Sequence, residues 1–123
     1  MKDVSSIPAE AARRFDVPVE DGVTIAAYEL KDCPSDAPVL LWGHANGFSA
    51  GSYLPLLQLL SKRFNVFAYD VRGQGASTSP PEPFTKTVAF DRLAHDMERV
   101  ANTIQAPASG RPLYFAGHSF SAA

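Results

Sequence analysis

Apolar and polar positions along this chain switch period several times, and each switch marks a change of element. Phe15, Val17 and Val19 alternate with polar residues or proline. Val23, Ile25 and Ala27 alternate again after Glu20-Asp21-Gly22. Period-two alternation on both sides of an Asp-Gly pair predicts a β-hairpin. Ahead of it, Ile7 to Arg14 predicts one or two helical turns, with Ser6 as cap and Pro8 in the first turn. Lys31 to Pro38 carries two prolines, two aspartates and a serine and predicts a loop. Val39-Leu40-Leu41-Trp42 is apolar without interruption, the mark of a strand covered on both faces. After a loop of small residues, Gly43 to Gly51, a helical pattern opens at Ser52 and carries Leu56, Leu57, Leu59 and Leu60. Phe64 to Tyr69 predicts the next strand, and Asp70 to Phe84 a long loop. From Thr85 to Ile104 apolar residues recur at three-and-four spacing (Phe90, Leu93, Met97, Val100, Ala101, Ile104), which predicts an amphipathic helix. Leu113 to Ala116 is the last strand. A hairpin followed by strand, helix, strand, helix, strand predicts an α/β fold with a parallel sheet.

Composition narrows the function without naming it. The chain has 123 residues, enough for one domain, and shows no internal repeat, low-complexity tract or second domain. Hydrophobic residues make up 46% and the net charge is -2, so nothing points to nucleic acid or an anionic membrane surface. The single cysteine, Cys33, excludes an internal disulfide and fits a reducing compartment. It sits in the Pro/Asp-rich loop, where it reads as a bystander and not a nucleophile. The first residues lack the apolar core of a signal peptide, and no stretch is long enough to span a bilayer. A soluble, cytoplasmic protein is expected.

Three loops follow three predicted strands at their carboxyl ends, where open α/β sheets place ligands. The third is the sharpest. Leu113-Tyr114-Phe115-Ala116 runs into Gly117-His118-Ser119-Phe120-Ser121, followed by alanines. A strand entering Gly-x-Ser-x-small at a helix start is a nucleophile elbow, a turn so tight that only small residues flank it, which lifts the serine hydroxyl clear of the sheet. Ser119 also suits the humbler task of capping the next helix. The other two loops are Gly43-His44-Ala45-Asn46-Gly47-Phe48 and Asp70-Val71-Arg72-Gly73-Gln74-Gly75-Ala76-Ser77. Gly73-Gln74-Gly75 is no nucleotide fingerprint, because Ala-Ser-Thr-Ser-Pro-Pro follows it instead of a helix start. No His, Cys, Asp or Glu set has metal-ligand spacing.

With these motifs the chain resembles the α/β-hydrolase family from about Phe15 onward. The family's His-Gly-x-x loop corresponds to His44-Ala45-Asn46-Gly47, with alanine at the first glycine. Its Asp-x-Arg-Gly-x-Gly-x-Ser segment is matched at every fixed position by Asp70 to Ser77. The last glycine of its elbow is Ser121 here. The resemblance implies a mostly parallel sheet with flanking helices, truncated after the nucleophile strand. Residues 1–14 would form an N-terminal extension and 15–123 the first part of a single domain. It implies catalytic roles for Ser119 as nucleophile and for the backbone N–H groups of Asn46 and Phe120 as oxyanion hole. Asn46 also suits a turn as a residue tolerant of positive φ. His44 is implied to brace its loop, and Asp70 and Arg72 to form a charged pair that pins the loop after the fourth strand. Phe48, Tyr53 and Phe84 suit either an apolar substrate pocket or ordinary packing.

A serine needs a histidine to take its proton and an acid to orient that histidine. In the resembling family both follow the nucleophile, and the sequence ends four residues after Ser119. None of His44, His95 and His118 fits the base by order or position. The expectation is thus a fragment of a serine-dependent hydrolase acting on a small-molecule acyl substrate, most simply an ester, with no cofactor; residues 1–123 alone are expected to be inactive. Two alternatives stand: a non-catalytic binding or remnant protein of the same fold, and an acyltransferase or carbon–carbon bond hydrolase using the same site.

Overall fold

In the computed structural model, which describes residues 7–34, 36–45, 47–79, 90–105 and 110–118, a five-stranded sheet carries one helix on each face. The hairpin strands are β1 (Ala12–Pro18) and β2 (Thr24–Leu30), paired antiparallel with Val17 opposite Ile25. The turn between them, Glu20–Gly22, holds Asp21 and Gly22 at φ of 66° and 70°, conformations that Asp and Gly tolerate best. Strand β3 is Val39–Gly43, β4 is Asn65–Tyr69 and β5 is Leu113–Gly117. The spatial order is β1-β2-β4-β3-β5, with β2 antiparallel to β4 and with β4, β3 and β5 mutually parallel. The hairpin therefore extends a three-stranded parallel unit.

Side-chain alternation sends each strand's residues to two different cores. Leu41, Phe67 and Tyr69 point to one face, where Val100, Ala101 and Ile104 of helix α2 (Phe90–Gln105) cover them. Leu40, Trp42, Val66 and Ala68 point to the other, where Leu57 of helix α1 (Leu54–Leu60) is fully buried. Both faces being covered explains the unbroken apolar runs of β3 and β4.

Two expectations change. The helical reading of Ile7 to Arg14 holds for a single turn, in which the Pro8 carbonyl accepts the N–H groups of Ala11 (2.9 Å) and Ala12 (3.2 Å). From Ala12 the chain is strand, so residues 12–14 belong to the sheet. Ala12 pairs with Leu30 and faces the core, and Arg13 pairs with Glu29, whose carboxylate it meets at 2.8 Å. Pairing along a sheet edge outweighs the helix propensity of Ala-Glu-Ala-Ala-Arg-Arg. The helix expected to open at Ser52 begins as a 3-10 turn, Ala50–Tyr53, before α1. Of its leucines Leu57 is buried, while Leu56 and Leu59 stay 39% and 61% exposed. The long helix is described from Phe90, so its expected first turns lie outside the described residues.

Strand β5 pairs with β3 along one edge; among the described residues no strand pairs with its other edge, and Tyr114 and Phe115 are about half exposed.

Helix α2 is fastened to the sheet by a buried ion cluster. The Arg72 guanidinium donates through Nε and Nη2 to both Asp96 carboxylate oxygens (2.6 and 2.9 Å) and through Nη1 to Asp21 (2.8 Å). One side chain thus joins the hairpin turn, the loop after β4 and α2. These bonds hold the Arg72 pKa above its ordinary value and the Asp21 pKa below its own. Removing one partner of a buried pair costs up to about 3–5 kcal/mol when the other charge is left uncompensated; Arg72 would keep Asp21, so the loss on removing Asp96 should fall toward the lower end of that range. Asp96→Ala should lower the unfolding free energy of the full-length protein by about 3 kcal/mol in urea titration; a loss of less than about 1 kcal/mol would be the size of a surface pair and would contradict it.

Candidate active site

The parallel register determines what meets what. Gly43, Tyr69 and Gly117 lie side by side at the carboxyl ends of β3, β4 and β5, so the three motif loops leave the sheet at one edge. The His118 N–H donates to the Gly43 carbonyl (3.1 Å), carrying the pairing one residue past β5.

The loop after β3 is braced from inside. His44 is fully buried. Its Nε2 accepts the Val71 N–H at 2.9 Å, which places the ring proton on Nδ1, and Nδ1 donates to the Ala45 carbonyl at 2.7 Å. Burial pushes the His44 pKa down. A neutral imidazole with both nitrogens committed holds two loops together and is unsuited to shuttle protons, as the resemblance implied. Three described backbone N–H groups of the loop are also engaged. Ala45 donates to the Tyr53 hydroxyl (3.1 Å), Gly47 to Gln74 Oε1 (2.8 Å) and Phe48 to the Ala45 carbonyl (3.0 Å).

The loop after β4 is organised around Asp70, which is sealed from solvent. Its carboxylate accepts the N–H of Ala50 (2.7 Å), the N–H of Ala76 (2.9 Å) and the Tyr28 hydroxyl (3.1 Å). Burial, with the adjacent Asp70 charge, raises the Tyr28 pKa and keeps the phenol a donor. The Asp70 carbonyl accepts the Ser77 hydroxyl (2.5 Å), whose oxygen accepts the Ala26 N–H (2.8 Å). Gly75 is obligatory: a Cβ there would lie 2.4–2.8 Å from the Asp70 carboxylate. The expected Asp70–Arg72 pair needs correction. Both residues pin this loop, but Asp70 does so through backbone N–H groups and a phenol, and Arg72 through Asp96 and Asp21.

At the third loop, His118 is exposed and its Nδ1 lies 2.8 Å from the Tyr53 hydroxyl. Ser119, Phe120 and Asn46 lie outside the described residues, as does Phe84. What the structure places is their neighbours: Ala45 and Gly47 flank position 46, and His118 precedes position 119. His95, on α2, lies 3.1 Å from a Glu20 carboxylate oxygen across the hairpin turn. Tyr53 and Gln74 are the participants the sequence did not single out for bonding. Neither belongs to a fixed motif position, and each acts on a loop that is remote in sequence.

A family profile described as the alpha/beta hydrolase family matches residues 39–123, which include all three loops. The chain belongs to the alpha/beta hydrolase family. Protein bem46 of Schizosaccharomyces pombe is 33% identical over 90 residues, 69% of this chain and 30% of that protein. Among solved structures, a hydrolase from Pseudomonas aeruginosa superposes with a TM-score of 0.67 at 28% identity, over 87% of this chain and 37% of that one. An epoxide hydrolase from Vigna radiata gives 0.73 at 20% identity, over 94% and 33%, a likeness of fold alone. This alpha/beta hydrolase chain thus spans about a third of the length of these relatives. No helix among its described residues is long and apolar enough to cross a membrane.

The His44 brace has a pH signature. Its folded pKa lies below the ordinary 6.5, so between those two values the unfolded chain binds a proton that the folded chain does not. Stability contributed by neutral His44 is full above about pH 6.5 and falls as pH drops below it, at up to about 1.4 kcal/mol per pH unit. His44→Gln, whose amide oxygen can accept the Val71 N–H, should flatten that acid limb in the difference between the two proteins' urea midpoints from pH 7.5 to 5. Parallel limbs would show that His44 is not the group responsible.

Proposed function

We propose that the protein is a serine-dependent acyl hydrolase, with an ester as the simplest substrate class. Ser119 Oγ attacks the acyl carbon and gives up its proton to a base. The carbonyl oxygen becomes an oxyanion held by the N–H groups of Asn46 and Phe120. Collapse expels the alcohol, which takes the proton, and water then attacks the acyl-enzyme to release the acid and restore Ser119.

The observation that supports this reading best is the pairing of Gly43 with Gly117, so that the segments leading to Asn46 and to Ser119 leave the sheet from adjacent positions. The bonding of the first loop supports it further. The N–H groups of Ala45, Gly47 and Phe48, on either side of position 46, bond to Tyr53, to Gln74 and to the Ala45 carbonyl, so the segment that carries Asn46 is braced at both ends. An oxyanion donor of this kind is worth about 2.7–4 kcal/mol of barrier in other hydrolases.

The nucleophile's identity separates acyl chemistry from the epoxide opening named for the Vigna radiata relative. A serine alkoxide that attacked an epoxide carbon would leave an ether, which water does not cleave under mild conditions. Attack on an acyl carbon leaves an ester, which it does. The activating histidine and its acid are assigned downstream of Ser119, in keeping with the family's chain order. His44 is committed at both nitrogens, and His118 is engaged by Tyr53.

A fluorophosphonate probe on the folded full-length protein should label the peptide containing Ser119. Ser119→Ala should abolish labelling and reduce p-nitrophenyl ester hydrolysis to background. Folded protein that takes no label, or a Ser119→Ala variant that turns over normally, would overturn the assignment.

A further inference from the structure

We propose that Tyr53 is a positioning residue whose hydroxyl sets the spacing between the oxyanion loop and the nucleophile turn; this rests on the acyl-hydrolase reading above. The phenol oxygen accepts the Ala45 N–H at 3.1 Å and shares a hydrogen bond with His118 Nδ1 at 2.8 Å. Ala45 immediately precedes Asn46, and His118 immediately precedes Ser119. One hydroxyl is therefore tied to the residue before the assigned oxyanion donor and to the residue before the assigned nucleophile. A tyrosine hydroxyl has one proton and two lone pairs, so accepting from Ala45 still leaves it able to bond His118 in either direction.

The rest of the side chain makes the hydroxyl a fixed point. Tyr53 ends the 3-10 turn that leads into α1, and its ring sits 5.1 Å from Trp42, 6.1 Å from Phe48 and 5.9 Å from the His118 imidazole. Trp42 belongs to β3 and faces the core under α1, so the ring is held by the same strand whose end launches the oxyanion loop. Nothing in this packing needs the oxygen. Its two bonds run to two different loops, and neither bond lies within α1.

A group that fixes the distance between nucleophile and oxyanion donors matters at the transition state and not for ground-state binding. Misplacement by about 1 Å can cost about 100-fold in rate. The test uses the full-length protein, p-nitrophenyl ester turnover, the rate of fluorophosphonate labelling at Ser119, and the thermal midpoint. Tyr53→Phe keeps the ring and removes the hydroxyl. We expect kcat and the labelling rate to fall about 10- to 100-fold, with KM within about twofold and with the variant fully folded at the assay temperature despite a midpoint lowered by the lost Ala45 bond. His118→Leu, at an exposed position, breaks the same bridge from the other end and should give a similar fall even if Tyr53→Phe folds poorly. His118→Asn, which offers a polar atom near the place of Nδ1, should recover most of that loss. The Tyr53→Phe/His118→Leu double variant should be no slower than the worse single variant. Undiminished kcat in Tyr53→Phe or in His118→Leu overturns the proposal, as does a fall matched by lost folded protein. Wild-type protein unlabelled at Ser119 overturns the acyl-hydrolase reading and this proposal with it, whereas a labelled wild type with unimpaired variants overturns this proposal alone.

Discussion

A carboxylate sealed from water must find its hydrogen bonds inside the protein, and in this chain that demand falls on Asp70. It meets the demand by accepting from Ala50 at the start of the 3-10 turn, from Ala76 in its own loop and from Tyr28 in the hairpin. Two segments remote in sequence, and the far side of its own loop, are thereby fixed to the carboxyl end of β4. The same constraint excludes a side chain at Gly75, whose Cβ would enter the carboxylate. Arg72, two residues on, repeats the arrangement with opposite charge, binding Asp96 of α2 and Asp21 of the hairpin turn. A loop between these two residues has little freedom. The backbone N–H of Val71, between them, and the side chain of Gln74, just beyond, are consequently placed to hold the loop after β3.

Support thus passes from the buried charges outward to the chemistry. Asp70 and Arg72 set the second loop, the second loop and His44 set the first, and Tyr53 links the first to the third. Oxyanion stabilisation works through donors already aimed at the charge before it develops, which requires such external bracing of short loops. His44 illustrates how a residue that looks like a catalytic base can instead brace two loops, with both ring nitrogens bonded.

The elements that the sequence disclosed are those encoded locally. The unbroken apolar runs of β3 and β4 require cover on two faces, the alternation around Asp21-Gly22 requires a hairpin, and the three-and-four spacing before Ile104 requires an amphipathic helix; each needs only neighbouring residues to be recognised. The three loops were legible for the same reason, as short motifs after strands. What escaped depends on partners far along the chain. Arg72 meets Asp96 and Asp21, 24 and 51 residues away, and Asp70 reaches Tyr28, 42 residues away. Local pattern could assign these charges to loop bracing but not to each other's true partners. Ala12 to Arg14 are strong helix formers in isolation and join a strand only because Leu30, Glu29 and Tyr28 lie opposite them. Tyr53 was legible as an aromatic near the loops, whereas the two bonds of its hydroxyl emerge only once β3 and β5 are seen side by side.

On the proposed reading, one edge of the sheet assembles a serine nucleophile and two backbone donors around a single reacting oxygen. The most direct measurement is a crystal structure of the full-length protein after reaction with a dialkyl phosphate inhibitor. Phosphorus should be bonded to Ser119 Oγ, with the phosphoryl oxygen about 2.7–3.1 Å from the N–H groups of Asn46 and Phe120. Phosphorus on another residue, or a phosphoryl oxygen turned away from both groups, would contradict it.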